Sequence, residues 1–198
     1  MGKDTFDLGS QTADNDARGA QVGRVVSLEE AGRVIGGYRW LEHRLFELTG
    51  KLSAEIEDDA ARLYLSVVSG QHAWHEELWQ NHLPVVKNLD PDTFTQPSSD
   101  GIEAAITLLE HKNSCVERLA AIYRVVLPHM IVGYERHLAI CNEVVDAPIM
   151  RSLRLVLRDE HEAWSAGEGV VESLLGSKDL IRAASRYCEQ AEQLIRAL

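Results

Sequence analysis

Apolar residues recur every three or four positions along four long stretches of this chain, the spacing of amphipathic α-helices. Ser27 followed by Glu30 predicts a capping box at the start of the first helix, and Gly50 is expected to end it. A second helix is predicted over about residues 55–82, where Pro84 stops it. No stretch alternates apolar and polar residues for long enough to predict a β-strand.

The second half of the chain begins with a proline-rich connection, residues 84–100, which predicts a long crossover. The third helix is expected to run from about residue 101 to 145, with a kink or break at Pro128. The fourth helix starts near Pro148 and ends at Gly176. These elements predict an all-α bundle with a long crossover between its second and third helices.

Two further segments flank this bundle, which spans residues 27–176. The polar residues 1–26 lack helical periodicity, and we expect them to be a disordered leader. Residues 177–198 form an additional amphipathic helix, which is expected either to pack on the bundle or to form a homodimer interface.

Each of the four long helices places polar side chains on or beside its apolar face. On the second helix the apolar stripe is predicted to contain Leu63, Val67, Trp74 and Leu78, so that Gln71 and His75 lie within it and His72 at its border. The corresponding carboxylates on the first, third and fourth helices are Glu42, Glu135 and Glu160. Burying a carboxylate costs several kcal/mol unless the group is paired, protonated or bound to a cation. The pattern therefore indicates a polar cluster in the core.

Composition narrows the choice of function. Among the 198 residues, 20 Lys and Arg stand against 31 Asp and Glu, giving a net charge of −11, which argues against nucleic acid or an anionic membrane as partner. No apolar run approaches the roughly 20 residues that cross a bilayer. Three widely spaced cysteines predict neither a disulfide framework nor a zinc site, and they fit a reduced, cytoplasmic protein. A small molecule is the expected ligand.

The four helices, the crossover and the inward carboxylates resemble the ferritin-like di-iron carboxylate superfamily. That family takes Glu from its first and third helices and Glu-x-x-His from its second and fourth. The resemblance assigns Glu42, Glu135 and Glu160 to three of these glutamates and places Gln71 where the second helix has its Glu. The histidines that the motif expects are replaced by Trp74 and Ala163, so the implied metal site is degenerate.

Two functions follow from this resemblance, and both remain open. In the first, an atypical Fe or Mn site supports oxidoreductase-type chemistry on a small molecule. Its expected ligands are Glu42, His75, Glu135 and Glu160, and Tyr64, Gln71 and Tyr134 are expected to line the pocket. Without metal, His75 and Glu160 would instead serve as a catalytic acid–base pair.

In the second function, the di-iron site has been lost and a metal-free, ferritin-like bundle is kept as a scaffold or binding protein. A three-histidine site for one metal is a third arrangement, but it would require His43 or His137 to turn inward against the helical phase.

Overall fold

Every regular element of the described chain is helical, which confirms the predicted all-α class. The computed structural model describes residues 27–87, 90–111 and 114–196; the predicted leader lies outside them. The α-helices are α1 (Leu28–Glu55), α2 (Asp59–Gln80), α3 (Asp100–Glu110), α4 (Cys115–Ala121), α5 (Leu127–Ile140), α6 (Ala147–Leu174) and α7 (Lys178–Arg196). A 3₁₀ turn, Pro91–Phe94, lies in the crossover, and a π-helical segment, Ile122–Val126, joins α4 to α5 without interruption.

The first helix begins as its sequence predicts and ends later. Ser27 Oγ accepts a hydrogen bond from the backbone N–H of Glu30 at 3.1 Å, which confirms the N-cap. The prediction that Gly50 ends the helix is wrong, because α1 continues to Glu55. A Cβ on Gly50 would meet Ser69 Oγ at 3.1 Å, so this glycine allows α1 and α2 to approach closely.

The buried face of α2 differs from the predicted one. It consists of Ala61, Leu65, Val68, Ser69, His72, His75 and Trp79. Leu63, Val67 and Trp74, which were expected in the core stripe, are 68%, 64% and 44% exposed. Two stripes on this helix have helical spacing, and the one that faces the core includes the polar residues Ser69, His72 and His75.

The crossover after α2 packs on the first helix. Gly36 is buried on α1, and a Cβ there would overlap the backbone carbonyl of Phe94 in the 3₁₀ turn. The Gly36-Gly37 pair therefore allows a close contact between α1 and the crossover.

The predicted third helix is divided into several pieces. It ends at Glu110 and resumes at Cys115, and the π segment precedes Pro128, which occupies the first turn of α5. The side chain of Tyr123 in this π segment fills the space above Gly167 on α6, where a Cβ would overlap its ring. The extra residue of a π turn changes the phase of everything that follows it.

The core is formed by α1, α2, α6 and the continuous run from α4 to α5. The first two helices pack closely on each other, and α5 and α2 both pack on α6. The last helix, α7, packs on α3 and α4 through Ala184, Tyr187 and Ala191. None of the helices in the described ranges is both long and apolar enough to cross a membrane.

Candidate metal centre

Four ionisable side chains from three helices meet in the middle of the bundle. Glu42 comes from the buried face of α1, His72 and His75 from that of α2, and Glu160 from that of α6. The two histidines are three residues apart, which places them on the same side of the helix. All four are at most 1% exposed.

The donor atoms of these residues face one another. His72 Nδ1 lies 2.7 Å from Glu42 Oε2 and 3.4 Å from Glu160 Oε1. His75 Nδ1 lies 2.9 Å from Glu160 Oε1 and 3.5 Å from Glu42 Oε1. One ligand atom from each of the four residues lies within 4.8 Å of all the others. Two ligands on opposite sides of one ion are about 4.0–4.4 Å apart, since each bond is about 2.0–2.2 Å, so small side-chain movements would suit a single metal ion.

Two polar atoms of this cluster have no partner among the described residues. Glu160 Oε2 and His72 Nε2 are both buried and make no hydrogen bond. An unpaired carboxylate oxygen in a protein interior is costly, because it loses water and gains nothing in return. A bound cation would compensate the Glu160 oxygen, so the residues present fit a metal with mixed nitrogen and oxygen ligands.

Two neighbouring side chains hold the cluster in place. His75 Nε2 lies 3.3 Å from Asp159 Oδ2, on the side of the ring that faces away from the cluster. A carboxylate at this position favours the tautomer that carries a proton on Nε2 and leaves Nδ1 available to a metal. The Tyr134 hydroxyl donates to Glu42 Oε1 at 2.7 Å, and its ring is fully buried.

Burial and mutual hydrogen bonding set the protonation of the cluster. Burial alone would raise the pKa of Glu42, but hydrogen bonds from His72 and His75 lower it to about 2. Burial also opposes charge on His75, and its hydrogen bonds to Glu160 and Glu42 outweigh this and raise its pKa to about 10. The pKa of His72 is raised as well, by the charge of Glu160 and its bond to Glu42 against desolvation. Desolvation raises the pKa of Glu160 despite the opposing charge of His72.

Without metal, these directions favour protonated imidazoles beside the Glu42 carboxylate, and they make Glu160 the more easily protonated of the two carboxyl groups. A divalent cation that binds here must displace protons from the histidines, because only the neutral imidazole offers a lone pair. The same four side chains can therefore alternate between an ion-pair network and a ligand set.

The structure brings Glu42, His75 and Glu160 together but leaves Glu135 and Gln71 outside the cluster. Glu135 follows Tyr134 by one residue, about 100° of helix rotation, and its side chain is 53% exposed and lies 3.4 Å from His161. On α5, which corresponds to the end of the predicted third helix, the polar group that faces the cluster is therefore the Tyr134 phenol. Gln71 precedes His72 by one residue and is only partly buried, at the border of the buried face of α2.

Tyr64 lies beside the cluster rather than in it. Its hydroxyl donates to the backbone carbonyl of Ala163 at 2.6 Å and thus connects α2 to α6. Burial, and the charge of nearby Glu160, raise its pKa to about 12.

The residue that sequence reasoning missed is His72. The predicted stripe through Leu63, Val67 and Trp74 placed it at the border, because large apolar residues were assigned to the core. The alternative stripe of Leu65, Val68, His72 and His75 also has helical spacing, and the His-x-x-His pair within it was the available signal.

The chain was compared with models of protein families, with curated proteins and with solved structures, and no match was found in any of the three.

Proposed function

We propose that this chain is a ferritin-like bundle protein that binds a single Fe or Mn ion through Glu42, His72, His75 and Glu160, and that it acts on a small molecule as an oxidoreductase. The observation that carries the proposal is the buried four-residue cluster, in which a carboxylate oxygen of Glu160 still lacks a partner. Two imidazoles and two carboxylates are a ligand set suited to Fe and Mn.

The arrangement along the chain supports the ferritin-like assignment. Glu42 lies on the first long helix and Glu160 on the last helix of the bundle, and a long crossover separates α2 from α3. His72 and His75 have the i, i+3 spacing of the family's Glu-x-x-His motif, with a histidine in place of its glutamate. A second metal ion would need further ligands at the positions of Ala163 and Tyr134. Alanine cannot bind a metal and the Tyr134 phenol already donates to Glu42, which favours one ion rather than two.

The protein side chains have distinct tasks in this proposal. Glu42 and Glu160 would neutralise the charge of a divalent ion, and Asp159 and Tyr134 would hold His75 and Glu42 in their binding orientations. A bound Fe or Mn ion would supply redox chemistry with dioxygen. Burial of the cluster excludes bulk water from it, which strengthens every electrostatic interaction inside.

The test is metal content per chain by ICP-MS after anaerobic loading with Fe(II) or Mn(II) and removal of the excess. We expect about one equivalent for the native chain and a loss of that metal for Glu160→Gln, which keeps the shape of the side chain but removes its charge. Glu135→Gln is the matched control, because its carboxylate lies outside the cluster, and it should retain the metal.

A native chain that takes up neither metal would contradict the proposal. That result would favour a metal-free scaffold, in which hydrogen bonds between the two histidines and the two glutamates stabilise the core. Equal metal loss in the two variants would also contradict it, since the ion would then not depend on the buried cluster.

A further inference from the structure

A cavity of about 630 Å³ opens at one end of the bundle, where the start of α1, the end of α5 and the start of α6 come together. This volume lies within the range of small-molecule binding sites. Most of its wall is apolar, with contributions from Ala31, Val34, Ile35, Ala139, Ile140 and Ile149. A ligand with a compact apolar body would therefore fit it.

The polar side of the wall carries a hydrogen-bond donor without a partner. The Tyr38 hydroxyl lies 3.1 Å from Nδ1 of His137. Burial raises the pKa of Tyr38 and lowers that of His137, the latter against the charge of Asp146, so both groups are neutral at neutral pH. We assign the pairing in which the phenol donates to the neutral ring at Nδ1. His137 then carries its proton on Nε2, which makes no hydrogen bond within the described residues.

Arg136 adds a positive charge beside this donor. Arg136 is one of the residues that line the cavity, is exposed, and forms neither a hydrogen bond nor an ion pair with any residue that the structure describes. An imidazole N–H and a guanidinium are both donors only, and together they suit a carboxylate. Glu30 and Asp146 lie on the same wall, and Asp146 Oδ2 accepts the backbone N–H of Asn142 at 2.8 Å. Their negative charges oppose any anionic group placed near them, so a single carboxylate is expected to lie against Arg136 and His137.

The cavity is adjacent to the candidate metal centre. The ring of Tyr38 packs edge-on against that of Tyr134, with 4.6 Å between their centroids. Tyr134 in turn donates its hydroxyl to Glu42 of the cluster. A molecule held against Tyr38 would be separated from Glu42 by the two tyrosine rings.

We infer that this cavity binds a compact apolar molecule with a single carboxylate, which is anchored by Arg136 and His137 while its apolar body lies against Val34, Ile35 and Tyr38. This binding does not depend on the proposed metal function.

The experiment uses 3-phenylpropionate as the probe and 3-phenylpropan-1-ol, its neutral counterpart, on the full chain with and without metal. Saturation-transfer NMR and titration calorimetry would measure binding. Gly133→Leu is the blocking variant, because Gly133 lines the cavity and a Cβ there meets nothing within 4 Å, so the added side chain enters open space. Gly169→Leu is its control, since a Cβ at Gly169 also meets nothing and this glycine is absent from the cavity lining.

We expect saturable binding of the carboxylate in the millimolar range or tighter, lost in Gly133→Leu and kept in Gly169→Leu. Arg136→Gln should weaken the carboxylate about tenfold and leave the alcohol unchanged, because only the carboxylate forms a charge-assisted hydrogen bond. Arg151→Gln, on an exposed arginine outside the cavity, should change neither.

Three results would overturn the inference: no saturable binding of either probe, binding that survives Gly133→Leu, or equal affinity for acid and alcohol. If only the metal proposal fails, the binding and metal measurements would give a different combination of results. The metal-free chain would then still bind the carboxylate, while ICP-MS would find no Fe or Mn. Metal uptake without carboxylate binding would instead reject the cavity assignment alone.

Discussion

Removal of the Tyr134 hydroxyl tests whether this group holds Glu42 in position in the buried cluster of Glu42, His72, His75 and Glu160. In Tyr134→Phe the buried ring stays, but Glu42 Oε1 loses a donor at 2.7 Å. A buried hydrogen bond to a charged group contributes about 1.5–3 kcal/mol to stability. A chain of this size changes its Tm by about 2–4 °C per kcal/mol, so we expect a decrease of roughly 3–12 °C.

Tyr64→Phe is the matched control, because it removes the same atom from a second tyrosine on the bundle. The Tyr64 hydroxyl donates to the neutral backbone carbonyl of Ala163 at 2.6 Å, and this side chain is only partly buried. A hydrogen bond between neutral groups contributes about 0.5–1.5 kcal/mol, so its loss should cost about half as much.

The assay is thermal and denaturant unfolding of the metal-free chain, followed by far-UV circular dichroism, together with metal titration of both variants. Tyr134→Phe should also weaken metal binding by about 10–100-fold, the usual effect of losing a residue that orients a ligand. Tyr64→Phe should leave metal affinity unchanged. If Tyr134→Phe costs no more stability than Tyr64→Phe and binds metal normally, Glu42 is not held by Tyr134 and the reasoning fails.

Three further outcomes can be checked by denaturant unfolding. Burial opposes a charge on His75, but Glu160 and Glu42 outweigh it and raise the pKa of His75 to about 10. The contribution of His75 to the stability of the metal-free chain is therefore complete below about pH 6.5 and is lost as the pH rises toward 10. A free energy of unfolding that does not change over this pH range would refute this. Gly36→Ala should destabilise the chain by more than about 1 kcal/mol, because the added Cβ overlaps the Phe94 carbonyl. At Gly70 an added Cβ meets nothing within 4 Å, so Gly70→Ala should stabilise α2 by up to about 1 kcal/mol. Leu65→Ala should cost about 2–5 kcal/mol and Leu63→Ala less than about 0.5 kcal/mol, and equal costs would contradict the observed face of α2.

The helical class and the crossover could be predicted from the sequence because hydrophobic periodicity and proline placement are local signals. Which face of each helix points to the core is harder to predict from the sequence. On α2 two stripes have helical spacing, and only packing against α1 and α6 decides that Leu65 rather than Leu63 faces the core. Hydrophobicity alone favoured the wrong stripe, because Trp74 and Val67 are larger and more apolar than His72 and Ser69.

The position of Glu135 shows a second reason why sequence reasoning fell short. It flanks the apolar face of α5 at only about 100° of rotation from Tyr134, so the periodicity leaves it at the border between core and solvent. Packing buries Tyr134 completely and leaves Glu135 53% exposed beside His161, a contact between helices that periodicity does not reveal. Glu42 and Glu160 were easier to place in the core, because each lies on a helix whose apolar face is unambiguous and uninterrupted.

The most direct test of the metal centre is a crystal structure of the Mn(II)-loaded chain, measured at the manganese absorption edge. We predict one anomalous peak inside the bundle, within about 2.0–2.3 Å of donor atoms from Glu42, His72, His75 and Glu160, the length of ordinary metal–ligand bonds. The absence of a peak among these four side chains, with Mn(II) in excess, would contradict the account.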